Sequence, residues 1–127
     1  MPLRVGCDVC SVPRVRRTIE TYGNRFLARA FAPDEVAQCS KSPSPWSSYA
    51  ARWAAKEAIF KALGPIARPR IAFSDICVTS AAPNTSPQVR LRASAMEAAR
   101  KAGVTGISVS LSHDGDYALA CCIVFFT

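Results

Sequence analysis

Near the N-terminus, Leu3, Val5, Cys7 and Val9 alternate with Arg4, Gly6 and Asp8. A period of two puts successive side chains on opposite faces, so this segment predicts a strand. Ser11 is a fitting N-cap, and Pro13 fits a first helical turn. Val12, Val15 and Ile19 then recur at helical spacing up to Gly23, predicting a helix. Asn24 caps a second short helix through Arg29. Pro33-Asp34-Glu35 is the acidic first turn of a third, running to about Cys39. Ala32 stands where a hydroxyl cap is usual, which should weaken that start by about 1 kcal/mol.

A Ser- and Pro-rich loop, Ser40 to Pro45, precedes the strongest helical pattern, from Trp46 to Leu63. It is full of Ala, carries Leu, Lys, Arg and Glu, and stops at Gly64-Pro65. Ile71 to Thr79 reads as a strand, Ser80 to Pro87 as a loop, Gln88 to Arg92 as a strand, and Ala93 to Ala102 as a helix stopped by Gly103. Ile107, Val109 and Leu111 alternate with serines up to His113, and Asp114-Gly115 predicts a two-residue hairpin turn. Tyr117 to Phe126 is apolar on both faces, which predicts a central strand. The order of elements predicts an α+β fold. With 127 residues and neither repeat nor long linker, the chain reads as one domain, residues 1–127.

Composition narrows the function. Hydrophobic residues make up 50% and charged residues 20%, which excludes disorder and coiled coil. The apolar run at Tyr117 is shorter than the roughly 20 residues of a spanning helix, so no membrane role is expected. Sixteen Lys+Arg against nine Asp+Glu give a net charge of +7. Such a surface attracts phosphates, nucleic acids, anionic membranes or acidic proteins. Cys7-Asp8-Val9-Cys10 is a formal C-x-x-C, but one histidine and no second such pair argue against zinc. No apolar signal-peptide core opens the chain, so reduced cysteines are expected in a cytoplasmic protein.

A few polar residues do not fit a simple core. Asp8 ends the first strand just before a helix, where a capping aspartate is an ordinary reading. Glu57 shares a helix face with Trp53, Ala50 and Phe60, and Ile59, Leu63 and Ala55 cover the opposite side. A carboxylate there is costly unless paired. Lys61, its i+4 neighbour, offers either an internal ion pair or, together with Glu57, a reactive centre. His113 closes Ser110-Leu111-Ser112-His113 at the hairpin tip.

Taken together, Gly6-Cys7-Asp8-Val9, then Arg52-Trp53-Ala54-Ala55-Lys56-Glu57-Ala58 with Lys61-Ala62-Leu63-Gly64, then Ser110-Leu111-Ser112-His113 resemble the holo-[acyl-carrier-protein] synthases, the small 4'-phosphopantetheinyl transferases. The resemblance runs nearly end to end. It implies a 4'-phosphopantetheinyl transferase-like single domain, with an antiparallel sheet against a long buried helix, that forms homotrimers with active sites between subunits. The implied reaction moves the phosphopantetheine arm of coenzyme A onto a serine of an acidic apo acyl carrier protein, releasing adenosine 3',5'-bisphosphate.

By the same resemblance, Asp8 and Glu57 match the metal-binding carboxylates. Mg²⁺ suits them, since it takes oxygen ligands from one or two carboxylates and phosphates. Lys61 matches the catalytic lysine. Arg52, Lys56, Lys61, Gly64, Ser112 and His113 match positions used around coenzyme A. Arg14, Arg25 and Arg29, with Phe26 as apolar anchor, match the carrier-docking helices, and Arg17 extends that patch, whereas Arg16 reads as a solvated charge. A metal-bound water relayed by Glu57 is the expected base, ahead of Asp114 or Asp34. After Gly64 the family often continues with another glycine, whereas residues 65–70 here are rich in Pro and Arg. The competing reading is a basic nucleic-acid-binding module. It rests on charge alone and lacks the surface aromatics or helix-turn-helix of such binders, so no nucleic-acid partner is expected.

Overall fold

Hydrogen bonding follows the alternation at the N-terminus: Leu3–Ser11 forms strand β1. The computed structural model describes residues 2–66, 71–82 and 85–127, so residues 67–70 of the Pro- and Arg-rich segment lie outside it. Helices α1 (Val12–Tyr22), α2 (Asn24–Ala30) and α3 (Pro33–Ser40) follow β1. Ser11 Oγ accepts from Arg14 N, as a cap should. Asn24, however, lies inside α2, and Gly23 holds the cap position without a side-chain bond. At α3 the missing hydroxyl is offset: Glu35 reaches back and accepts from Ala32 N at 2.8 Å.

The long helix α4 spans Pro45–Leu63 and buries Ala50, Ala54, Ala55, Ala58 and Ala62. These small side chains let the sheet come close. A Cβ at Gly6 would lie 1.9 Å from the carbonyl oxygen of Ala58, so only glycine fits there. After α4 come strands β2 (Ile76–Thr79) and β3 (Gln88–Leu91), helix α5 (Ala93–Ala102), and strands β4 (Val104–Asp114) and β5 (Tyr117–Phe126). The strand expected from Ile71 begins only at Ile76, because Phe73–Asp75 winds into a 3₁₀ turn. Asp75 is held there by Ser94 N at 3.1 Å and by Arg92 N on its carbonyl.

Two antiparallel sheets result, one ordered β1-β5-β4 and the other β2-β3. β5 is central, as its apolar pattern predicts. Only one of its faces is buried, though: Ala118, Ala120, Cys122 and Val124 pack inward, whereas Tyr117, Leu119 and Ile123 stay exposed. Leu3, Val5 and Val9 of β1 extend that open apolar face. The hairpin also differs from expectation. Asp114 pairs with Tyr117, so the two-residue loop is Gly115-Asp116. Gly115 has φ +56° and takes the first loop position, where a type II′ turn requires glycine.

Candidate functional site

Strand β1 alternates, so Gly6, Asp8 and Cys10 share the face that meets α4. This sets the Asp8 carboxylate, 18% exposed, at the end of the strand and against the helix. Glu57 and Lys61 are one turn apart on α4. All three line a cleft of about 600 Å³, together with Arg14, Phe26 and Trp53. Lys61 Nζ donates to Asp8 Oδ1 at 2.8 Å and to the Cys7 carbonyl at 3.3 Å. The lysine thus reaches across from the helix to the strand, and does not depend on a pair within α4. The bond to Asp8, then the charges of Asp8 and Glu57, push the Lys61 pKa above its ordinary value. Its ammonium is therefore a fixed positive charge beside two carboxylates.

Two oxygen-donor carboxylates side by side in the cleft match what Mg²⁺ accepts, with water or phosphate oxygens filling its remaining positions. They do not match zinc, and among the described residues no group of three or more His, Cys, Asp or Glu is placed to hold a metal. Cys7 and Cys10 are exposed and half-buried respectively, and lie on opposite faces of β1, so they cannot chelate together. Burial first, then Asp8, pushes the Cys10 thiol up to about 11. It donates to Ala50 O at 3.0 Å and is not a nucleophile at neutral pH.

Other residues fall elsewhere. Lys56 lies away from the cleft: it is fully buried, paired with Glu35 at 2.6 Å, and donates to the Phe73 and Ile76 carbonyls. Glu35 in turn accepts from Val78 N at 2.9 Å. Lys56 therefore ties α3 and β2 to α4 and has no donor left for coenzyme A. Burial pulls its pKa below the ordinary lysine value, opposed by Glu35. Arg52 lines a second cleft of about 430 Å³ with Lys41, Ser42 and Ser48. Its guanidinium bonds Gln38 and the Ser48 carbonyl, both at 3.4 Å, while its Nε is buried with no hydrogen-bond partner.

Gly64 ends α4 at φ +64° beside the Arg4 guanidinium. Ser112 and His113 sit near the end of β4, opposite Leu119 and Ala118, and do not line the Asp8 cleft. Neither do Asp34 and Asp114, and Asp34 pairs with Arg90 at 2.8 Å. Phe26 lines the Asp8 cleft and also an adjoining groove of about 310 Å³ with Tyr22, Arg25 and Arg29. Arg17 is exposed but lines neither. Arg16 stacks over Trp46 at 5.2 Å and pairs with Glu20, as a surface charge does. Sequence reasoning missed Glu35. Its position three residues after Ala32 signals a cap, and nothing in the pattern signals its zero exposure.

A model of the 4'-phosphopantetheinyl transferase superfamily matches residues 4–122. The holo-[acyl-carrier-protein] synthase of Desulforudis audaxviator is 42% identical over 120 residues, spanning 94% of this chain and 90% of that protein. The crystal structure of holo-[acyl-carrier-protein] synthase from Neisseria meningitidis superposes with a TM-score of 0.86 at 26% identity, over 96% of this chain and 97% of that one. The Helicobacter pylori enzyme in complex with coenzyme A does so with a TM-score of 0.81 at 29% identity, over 95% and 99%.

Proposed function

The chain belongs to the 4'-phosphopantetheinyl transferase superfamily, and from that premise we propose how its own residues carry out the transfer. The reaction is that of a holo-[acyl-carrier-protein] synthase. A carrier serine oxygen attacks the phosphorus bearing the pantetheine arm of coenzyme A. The P–O bond to the other phosphate breaks, adenosine 3',5'-bisphosphate leaves, and the serine proton is released. The single observation that carries the assignment is the convergence of Asp8, Glu57 and Lys61 in one cleft, with the lysine ammonium 2.8 Å from Asp8.

Breaking a pyrophosphate concentrates negative charge on its oxygens, and fixed cations lower that cost. Lys61 supplies one, held as ammonium by Asp8 and aimed along the cleft. Asp8 and Glu57 would hold Mg²⁺, which when bound neutralises phosphate oxygens as a Lewis acid. Glu57 would also receive the serine proton through water. Arg52 and Lys41, which line the same cleft, offer a second anion site for the nucleotide phosphates. Lys56 has no part in binding.

An acidic carrier would dock where Arg14 and Phe26 open the cleft toward Arg25 and Arg29, with Arg17 at the rim. The open apolar face of β1 and β5 supports assembly of copies, and a homotrimer would let Gly64, Ser112 and His113 of one subunit complete the cleft of the next. No helix among the described residues is long and apolar enough to cross a membrane; a cytoplasmic reaction is the reading carried over from the likeness to holo-[acyl-carrier-protein] synthases. Carboxylates at the centre of the cleft argue against a nucleic-acid groove. Asp8→Ala, Glu57→Ala and Lys61→Ala should each lower transfer on the order of 100-fold or more with folding intact. Wild-type rates in all three would remove the site assignment.

A further inference from the structure

Apolar burial holds α4 against the sheet without fixing its rotation about its own axis. Ala50, Ala54, Ala55, Ala58 and Ala62 are all buried, and the burial of small apolar side chains is non-directional. The rotation matters, because Trp53, Glu57 and Lys61 recur at every fourth position and line the cleft together. Side-chain ends lie about 5–6 Å from a helix axis, so rotating α4 by about 10° carries the Glu57 carboxylate about 1 Å away. Directional contacts begin one residue earlier. The Lys56 ammonium donates to Glu35 Oε1 at 2.6 Å, to the Phe73 carbonyl at 2.9 Å and to the Ile76 carbonyl. An ammonium has three protons, and all three are engaged. The anchors belong to α3, to the 3₁₀ turn and to β2. Glu35 is itself held at both oxygens, by Ala32 N at 2.8 Å and by Val78 N at 2.9 Å.

We propose that Glu35 and Lys56 are positioning residues for the transfer: their buried pair sets the rotation of α4 and so aims Glu57 and Lys61 at Asp8. A rotation that moves Glu57 by about 1 Å lengthens one or more of the Lys56 bonds by about as much, beyond the roughly 3.2 Å reach of a good N–H···O bond. Because the three anchors lie on three different elements, rotation in either sense breaks at least one. The Phe73 ring adds a second grip, 5.0 Å from the Trp53 ring and 5.3 Å from the Phe60 ring. Neither Glu35 nor Lys56 lines the cleft, so both act through α4. This role goes beyond holding the fold together. Apolar residues of similar volume are often as stabilising as a buried ion pair, but they carry no direction. The effect on transfer rests on the transferase reading, and the rotation itself does not.

The test compares wild type with Lys56→Met/Glu35→Gln and with Ile107→Ala. Glutamine at position 35 keeps an oxygen for the α3 cap, and methionine fills the place of the lysine stem with no donor for Phe73 or Ile76. Ile107→Ala truncates a side chain packed on the core from β4 and controls for lost stability alone. Carrier modification is measured well below each melting temperature. The double variant should lose about tenfold or more in kcat, with KM for coenzyme A and for carrier within about twofold of wild type. Ile107→Ala should keep its kcat. Should the double variant not fold, Glu35→Gln alone keeps both carbonyl anchors and should show the same split, with a loss of about threefold or more in kcat. A second readout needs no reaction. Lys61 Nζ donates to the Cys7 carbonyl, which shares a peptide unit with the Asp8 amide, so the Asp8 N–H resonance reports whether α4 still meets β1 as in wild type. It should shift in the variants of the pair and stay in place in Ile107→Ala. Wild-type kcat in the variants of the pair, an Asp8 resonance that does not move, or equal losses in Ile107→Ala would overturn the proposal. An inactive wild type together with a shifted Asp8 resonance would count against the transferase reading and leave the rotation standing.

Discussion

Replacing Gly6 by alanine tests whether the close contact of β1 with α4 builds the cleft. The added Cβ would stand 1.9 Å from the Ala58 carbonyl oxygen, 2.8 Å from its carbon and 3.0 Å from Cys122 Sγ. Ordinary contact begins near 3.4 Å, so strand and helix must part by about 1.5 Å. The obstructing atoms are backbone, and no side-chain rotation relieves the clash. Overpacking of this kind costs about 3 kcal/mol, which for a chain of this length lowers Tm by roughly 10 °C. Asp8 lies two residues along the strand, and Glu57 and Lys61 flank Ala58 on the helix. A displacement above 1 Å between them should lower transfer on the order of 100-fold. Thermal melting by circular dichroism and a carrier-modification assay read the two effects. Gly106→Ala is the control, since its Cβ would meet nothing closer than Phe125 at 3.8 Å. A Gly6→Ala variant within about 2 °C of wild type and fully active would show that the close approach of β1 to α4 does not build the cleft.

Lys56→Met leaves Glu35 buried without its cation and should cost about 3–5 kcal/mol by urea denaturation. Pairing it with Glu35→Gln should recover much of that loss. Because Lys61 has a raised folded pKa, its pair with Asp8 contributes below the ordinary lysine value and is lost as pH rises through the folded value. Melting temperatures of wild type and Lys61→Met should therefore keep a constant separation from about pH 7 to 9 and converge only at higher pH. Arg29→Glu should raise the carrier KM about fivefold at low salt with kcat unchanged, and the difference should shrink at high salt.

The helix α4 is legible because its alanines, its lone carboxylate and the Gly64 stop all agree on length and burial. The central place of β5 follows from its apolar run, and Asp8, Glu57 and Lys61 are picked out by type and position. Less is visible where tertiary contact overrides local pattern. Lys56 and Glu57 are neighbours in one motif, yet one is sealed in an ion pair with Glu35 and the other opens to the cleft. Nothing in helical periodicity separates them until α3 and β2 are in place. The lysine-to-aspartate bond spans 53 residues of sequence, so an i+4 rule shows Lys61 its neighbour Glu57 but not Asp8. The 3₁₀ turn at Phe73 depends on Asp75 meeting Ser94, and the hairpin shift on glycine taking the positive φ. Ser112 and His113 match a motif by sequence but lie outside the cleft that Asp8, Glu57 and Lys61 line.

Transfer of the coenzyme A arm by this cleft is read from the intact mass of an apo acyl carrier protein after incubation with this protein, coenzyme A and Mg²⁺, with an EDTA control. The expected result is a gain of one phosphopantetheine per carrier, abolished by EDTA and restored by added Mg²⁺. A carrier mass that never changes, across several carriers and with coenzyme A unbound, would contradict it.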